Sequence, residues 1–112
     1  MRFVLLIALL LAACRSTPRM GPLTFEQGVT FEPREGLYGT LSVENLGPGQ
    51  VNACVRQRDG VQSLSSIDEG ETVRYRLSEL FSVQLSRRLE GKSRIHWSAS
   101  AESINGLTIE VD

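Results

Sequence analysis

Apolar and polar residues alternate one by one along six separate stretches of the chain. In each stretch the apolar members stand two positions apart, as Val51, Ala53 and Val55 do. The stretches with this alternation are residues 37–44, 51–56, 72–77, 81–86, 94–101 and 107–112. A period of two is that of a strand, whose successive side chains point to opposite faces. The pattern therefore predicts six strands, each with one face in a core and the other in water.

Two further strands are expected where the alternation is less regular, around Leu23 to Phe31 and over Gln62 to Ile67. The segment from Ser78 to Leu89 is ambiguous, because its leucines also fit a helical period. We interpret this segment as a strand, since residues 81–86 keep the alternation.

The segments between the predicted strands carry residues that suit tight turns. These segments are 45–49, 59–60, 68–70 and 105–106, and each contains a glycine close to an asparagine or aspartate. Glycine takes positive φ at little steric cost, and Asn-Gly and Asp-Gly pairs suit turns between antiparallel strands. The first three of these turns lie about 10 residues apart. The chain is therefore predicted to be all-β, with seven or eight short strands in a small antiparallel β-sandwich.

Two phrases extend this expectation by resemblance. Residues 43–49 (VENLGPG), followed later by residues 69–75 (EGETVRY), resemble the strand-turn rhythm of bacterial immunoglobulin-like extracellular modules. The resemblance implies an immunoglobulin-like sandwich. The chain lacks the paired cysteines and the tyrosine-corner spacing of true immunoglobulin domains. The resemblance therefore bears on the fold and implies no activity.

The first residues of the chain follow a different pattern. Residues 3–14 form an uninterrupted apolar run, which comes after Met1 and Arg2 and ends at Arg15. Crossing about 30 Å of hydrocarbon takes roughly 20 apolar residues, so this run is too short to span a membrane. Its length and the charge of Arg2 suit the hydrophobic region of a signal peptide. An ordinary buried helix is the alternative, although the run has no polar face for water.

The apolar run closes on Leu11-Ala12-Ala13-Cys14, which resembles the lipobox of bacterial lipoprotein signal peptides. The resemblance implies that a signal peptidase recognises Leu11, Ala12 and Ala13. It also implies cleavage before Cys14, whose thiol then carries a diacylglycerol, with a further acyl chain such as palmitate on the new amine. Two or three acyl chains anchor a protein firmly, whereas one is marginal. Arg15 is not aspartate, which by analogy with Gram-negative sorting favours the outer membrane, facing the periplasm.

Removal of the signal peptide, residues 1–13, would leave 99 of the 112 residues, enough for one domain. We expect a lipidated flexible tether over residues 14–22, which contain two prolines and a glycine, and the sandwich domain over 23–112.

The charge of the mature chain bears on its partners. Without Arg2 there are 11 basic and 13 acidic residues, a balance that does not favour binding to nucleic acid. The expected contacts are the membrane, through the lipid, and an unidentified envelope protein; the oligomeric state stays open.

Catalytic chemistry finds little support in the sequence. His96 is the one histidine, and its alternation with Ile95 and Trp97 places it on the polar face of a strand. With a lipid on Cys14, Cys54 is left unpaired; it then forms an intermolecular disulfide, stays a free thiol, or serves only as a small half-buried side chain. One histidine and one free cysteine do not make a structural zinc site, and no serine lies in a Gly-x-Ser-x-Gly elbow. The chain is therefore predicted to be non-enzymatic, with no metal and no cofactor besides the lipid.

Four arginines form the candidate binding site of the predicted domain. Arg56 and Arg58 share the outward face of one predicted strand, and Arg74 and Arg76 share that of another. If those strands were neighbours in one sheet, four guanidinium groups would line a single face. Such a face binds phosphate or carboxylate groups through paired hydrogen bonds. The alternative is a set of ordinary solvated arginines on wet strand faces.

Three hypotheses for function follow. The first, which we favour, is a non-catalytic envelope lipoprotein that acts through protein contacts, as an accessory or assembly factor. The second is a binding module for anionic envelope polymers through the arginine-lined face. The third is an enzyme, or an inhibitor of an enzyme, that acts in the periplasm, with residues 45–50 as the candidate inhibitory loop.

Overall fold

The computed structural model describes residues 19–87, 91–101 and 106–112. Within them the chain forms nine strands, and every pairing between strands is antiparallel. The strands are β1 Arg19–Phe25, β2 Gly28–Pro33, β3 Gly39–Gly47, β4 Val51–Gln57, β5 Gln62–Ile67, β6 Thr72–Arg76, β7 Leu80–Arg87, β8 Ser93–Ala101 and β9 Leu107–Val111. The prediction of an all-β antiparallel fold is confirmed.

The strands form two sheets that pack face to face. The four-stranded sheet has the order β1-β8-β3-β6, and the five-stranded sheet has the order β5-β4-β7-β2-β9. Only β4 and β5 are both consecutive in the chain and paired in a sheet; at every other step between described strands the chain crosses to the opposite sheet. This is the order of a jelly roll, in which two Greek keys wrap into a sandwich.

The strand order shows that the sandwich prediction is correct and its immunoglobulin-like form is wrong. In an immunoglobulin sandwich several consecutive strands pair within one sheet, whereas here a single consecutive pair does so. Alternation and turn residues locate each strand and its buried face. They do not determine which strands pair, because that depends on contacts between segments far apart in the chain.

The core lies between the two sheets and follows the alternation. Val51, Ala53 and Val55 of β4 are all buried, as predicted. The ring of Phe31 on β2 meets that of Trp97 on β8, with 5.8 Å between centroids and a tilt of 60°. Tilted aromatic pairs at this distance stabilise beyond the area they bury. This contact joins the central part of one sheet to that of the other.

The N-terminal part of the domain differs from the prediction in two ways. The single strand expected around Leu23 to Phe31 is two strands, β1 and β2, which Glu26 and Gln27 separate and which lie in different sheets. In addition β1 begins at Arg19, so residues 19–22, assigned to the tether, belong to a strand. Pro22 is tolerated there because β1 lies at the edge of its sheet, where a missing N–H leaves no gap in a ladder.

The ambiguous segment is the strand β7, as predicted. At the start of β7, however, the alternation of buried and exposed side chains is shifted by one residue. Leu80 is buried, and Phe81, which the alternation placed in the core, is half-exposed. The register with β4 changes between Arg56 and Gln57. An irregularity of one residue moves the following side chains to the opposite face. The prediction that Phe81 faces the core is therefore wrong.

A buried asparagine ties the connection after β3 to the end of β5. Asn45 Nδ2 donates to Gly49 O at 2.7 Å and to Ile67 O at 2.9 Å. Asn45 Oδ1 accepts a hydrogen bond from Gly47 N at 2.8 Å. All the polar atoms of the asparagine side chain are thus used, as burial requires. These bonds hold residues 45–50, the loop that the inhibitor hypothesis invokes, and that hypothesis stays a prediction.

Candidate functional site

The four predicted arginines do not share one sheet face. β4 lies inside the five-stranded sheet and β6 is an edge of the four-stranded sheet, so the condition for one arginine-lined face, that these strands are neighbours, is not met. Arg56 is exposed on the outer face of the five-stranded sheet, and Arg58 follows the end of β4. Arg74 and Arg76 are exposed along β6. The physical cause is the jelly-roll order, which sends β5 and β6 to opposite sheets.

Three of these arginines nevertheless gather where the two sheets part. A cleft of about 220 Å³ opens there between β4 and β6, and we call it the open-edge cleft. Its lining consists of Val55, Gln57, Arg74, Tyr75, Arg76, Glu79 and Leu80. A depression of about 370 Å³ adjoins it, lined by Gln57, Arg58, Asp59 and Glu79. The two cavities share Gln57 and Glu79, with Arg74 and Arg76 in the lining of the cleft and Arg58 in that of the depression.

The three arginines are not equally available to a ligand. Arg58 Nη2 donates to Pro33 O at 2.8 Å, and its guanidinium lies 6.0 Å from the ring centroid of Phe81. Arg76 Nη1 lies 3.7 Å from Glu79 Oε1, and both side chains are largely exposed. Arg74 makes no hydrogen bond or ion pair with any residue that the structure describes. An anion in the cleft would therefore meet Arg74 first and compete with a carboxylate for Arg76.

Tyr75 supplies a neutral polar group to the same cleft. Its side chain points between the sheets and is half-buried. Burial raises the pKa of the Tyr75 hydroxyl, and the nearby Glu71 carboxylate raises it further. The hydroxyl therefore stays protonated at neutral pH and keeps its hydrogen to donate. Carboxylate and phosphate groups accept hydrogen bonds from donors of this kind, the guanidinium groups and the tyrosine hydroxyl.

Sequence reasoning missed Gln57, Tyr75 and Glu79, which complete the cleft around the arginines. Tyr75 alternates with Arg74 and Arg76 and was predicted to be a core residue. Gln57 and Glu79 come from segments distant in the chain, which meet where Gln57 pairs with Leu80 and where Arg58 N bonds Glu79 O at 2.9 Å. No local pattern in the chain carries that contact.

The other residues considered for chemistry lie apart from the cleft and from each other. His96 is half-buried on the outer face of the four-stranded sheet, opposite Glu44 on β3. Cys54 is a free, half-buried thiol on β4 in the other sheet, and its Sγ accepts from Gln62 Nε2 at 3.3 Å. Cys54 and His96 therefore lie on the outer faces of different sheets and cannot act together as a thiol-imidazole pair. Among the residues placed by the structure, no cluster of three or more His, Cys, Asp or Glu side chains could hold a metal.

The lipidation motif lies outside the described residues, which begin at Arg19. The expected roles of Leu11, Ala12, Ala13 and Cys14 therefore stay predictions from the sequence. No helix in the described part of the chain has the length and apolarity that crossing a bilayer would need.

No protein family matches the chain by sequence, and no curated protein matches it. Solved structures do match its fold. Peruvianin-I, a cysteine peptidase from Thevetia peruviana latex, matches with a TM-score of 0.60 and 7% identity over 85% of this chain and 55% of its own. Drosophila melanogaster CENP-C bound to CAL1 matches with a TM-score of 0.55 and 11% identity, over 72% and 60% of the two chains. The vicilin from Solanum melongena has different anionic ligands in structurally similar pockets. It matches with a TM-score of 0.59 and 15% identity, over 91% of this chain and 26% of its own.

These likenesses show a cupin-like jelly roll, since the matching part of CENP-C is a cupin domain. They overturn the resemblance to immunoglobulin-like modules. The chain spans less than two thirds of each matched protein. At such low identity the likeness shows the fold alone, and a shared fold does not carry a shared function.

Proposed function

We propose that this protein is a lipid-anchored, non-catalytic factor of the cell envelope that acts through contact with another envelope protein. The observation that carries the proposal is a group of exposed apolar side chains at one end of the sandwich, which we call the apolar end. Its members are Tyr38, Val61 and Phe81, each at least half-exposed. The segments that carry them meet there, since Leu77 N donates to Gly39 O and Arg58 N donates to Glu79 O.

The composition of the apolar end supports a protein partner. Tyrosine, phenylalanine and arginine are enriched in the central parts of protein interfaces, and Arg58 packs over Phe81 in this surface. Three exposed apolar side chains at one end of the domain make that end a candidate interaction site. CENP-C in its complex with CAL1 gives an instance of a protein with this fold contacting another protein.

The position of β1 supports a partner at the membrane. Arg19 of β1 pairs with Ala99, and Gly39, next to Tyr38, pairs with Ala101, so β1 starts at the apolar end. With a lipid on Cys14, five residues precede β1 and reach at most about 16–18 Å. The apolar end is therefore expected close to the bilayer, where it would contact a membrane-embedded protein.

Site-specific crosslinking in cells tests this proposal. A photo-reactive amino acid at position 81 is expected to give a defined adduct with one envelope protein, because the side chain at that position would lie in the contact. The matched control is position 46, since Leu46 is also an exposed apolar residue but lies at the far end of the sandwich. The adduct is expected to disappear in Cys14→Ser, which lacks the lipid. Equal adducts at the two positions, or an adduct and a membrane fraction unchanged in Cys14→Ser, would contradict the proposal.

A binding module for anionic envelope polymers is the second candidate, and the open-edge cleft favours it. Arg74 and the Tyr75 hydroxyl both have donors to spare there. The anionic ligands in pockets of the Solanum melongena vicilin are consistent with such a role for this fold. Contacts of this kind weaken as salt screens the charges.

Sedimentation with vesicles that contain lipopolysaccharide tests the second candidate, using Cys14→Ser so that the lipid anchor does not mask binding. Replacing Arg74 and Arg76 together by serine is expected to weaken binding at least about tenfold, because two charge-assisted contacts are lost. The control is the double variant Arg56→Ser with Arg94→Ser, which removes the same charge from outside the cleft. Equal losses in both double variants, or binding that resists added salt, would refute a specific site.

A further inference from the structure

The four edge strands of the two sheets differ in how well they resist pairing with another chain. Natural edges are guarded by charged side chains, proline or bulges. β1 contains Pro22, β6 contains Arg74 and Arg76, and β9 contains Glu110. β5, the remaining edge, has the sequence QSLSSI, with no charge and no proline, and five of its six residues are exposed. β5 is therefore the unguarded edge of the described fold.

The backbone of β5 is arranged to accept another strand. Gln57 N donates to Val61 O at 2.8 Å at the start of the β4–β5 ladder. Hydrogen-bonded and non-bonded pairs alternate along an antiparallel ladder, so Ser63 and Ser65 bond to β4. Gln62, Leu64 and Ser66 therefore direct their N–H and C=O groups away from β4, to the free edge. Leu64 stands at the centre of these three residues, and its side chain is 79% exposed.

We propose that two copies of this chain pair through β5, antiparallel and about a two-fold axis at Leu64. In this register Leu64 lies opposite Leu64 of the second copy, and Gln62 lies opposite Ser66. All three outward residues are then used, and each of the three pairs exchanges two backbone hydrogen bonds. The result is one continuous sheet of ten strands, with a four-stranded sheet packed on it in each copy.

Charge is the reason for choosing a second copy as the partner. In a symmetric pair, an edge strand lies beside the same strand of the second copy. Charged side chains on that strand therefore face like charges, as the arginines of β6 would. The facing side chains of β5 are glutamine, serine and leucine, which carry no charge. The two Leu64 side chains, each largely in water in the single chain, cover one another. The edge is thus complementary to itself.

The symmetry agrees with a shared membrane. The two-fold axis of an antiparallel pair stands normal to the sheet, so both four-stranded sheets lie on the same side of the joined sheet. Both β1 strands belong to those sheets, so both chains can be anchored to one bilayer that faces the four-stranded sheets. The two apolar ends then lie at opposite ends of the pair, each along the surface of that bilayer. Such a strand-to-strand contact is smaller than the roughly 1,000 Å² of a strong interface. The pair is a weak one that high local concentration on a membrane favours.

Disulfide trapping in the full chain tests the register. The background is Cys54→Ser, because Leu64 pairs with Cys54 across the β4–β5 ladder and a new thiol at position 64 would otherwise bond within the chain. Residues in a hydrogen-bonded pair lie about 5.5 Å apart between Cα atoms, within the range of a disulfide. Leu64→Cys is therefore expected to give an oxidised dimer on non-reducing gels, above the background chain without the new cysteine.

Two neighbouring positions supply the matched controls. Gln62→Cys and Ser66→Cys are each expected to give no dimer alone, since a residue and its own copy are then about 13 Å apart along the strand. The two variants are expected to crosslink when differently tagged chains are expressed together. Leu64→Cys dimers with mixed Gln62→Cys and Ser66→Cys dimers support the proposal. No dimer above background, a disulfide to a different protein instead, or equal dimer from Gln62→Cys alone overturns it.

A charge at the centre of the pair gives an independent measurement. Leu64→Lys sets two like charges opposite each other and is expected to weaken dimerisation more than about tenfold in analytical ultracentrifugation. Val111→Lys is the control, because Val111 is a half-exposed residue on β9 at the opposite edge of the same sheet. The mutated side chain is mostly in water, so the fold is retained. Equal dimerisation in the two variants overturns the proposal.

Discussion

Phe31→Ala is expected to lower the free energy of unfolding by about 3–5 kcal/mol, the cost of deleting a buried phenylalanine ring. Phe31 is fully buried, and its ring packs on Trp97 from the opposite sheet. The deletion removes the apolar contact and leaves a cavity between the sheets, because a close-packed core relaxes only partly around a deleted side chain. Stabilities of domains this small lie at roughly 5–15 kcal/mol, so much of the total is at stake.

Urea denaturation followed by tryptophan fluorescence measures this loss, since Trp97 is the one tryptophan in the chain and lies against the substituted ring. Phe81→Ala is the matched control, because Phe81 is 50% exposed. Its loss is expected to stay below about 1 kcal/mol, as for other surface positions. Similar losses in the two variants would show that the Phe31–Trp97 contact is not central to the core.

Asn45→Leu is expected to destabilise the domain by roughly 2–6 kcal/mol, although leucine is the more apolar residue. Two buried groups, Ile67 O and Gly47 N, lose their hydrogen-bond partner, and each such group costs about 1–3 kcal/mol. The same denaturation measurement checks it. Asn52→Leu is the control, since Asn52 is half-buried on an outer sheet face and makes no side-chain hydrogen bond within the described chain. A stabilised Asn45→Leu would mean that water reaches these groups.

The sequence predicts the strands well because alternation is a local signal. Buried positions such as Val83, Leu85 and Ile95 follow directly from it. Pairing is a different matter, since β3 has its partners in β6 and β8, which come 25 or more residues later. Nothing within a single strand records that choice. An immunoglobulin-like order and a jelly roll therefore produce the same pattern of apolar residues.

The arginine site shows the same limit on a smaller scale. Arg74 and Arg76 lie on one face of β6, as two residues of one strand with a spacing of two must. Their relation to Arg56 and Arg58 depends on whether β4 and β6 are neighbours in one sheet, and the two strands lie in different sheets. The cleft that the structure reveals instead is formed by two sheets that part beside β6. Only the sheet order could have located it.

The pairing of β1 with β8 has a consequence for how the chain acquires its shape. Arg19 bonds in register with Ala99, so the first strand finds its neighbour only after some 80 further residues have been made. Closing so large a loop is entropically costly and makes contacts of this kind slow to form. A nascent chain with this topology cannot complete its four-stranded sheet while its C-terminal quarter is still absent. Such a polypeptide completes its fold only after the last strands have been synthesised.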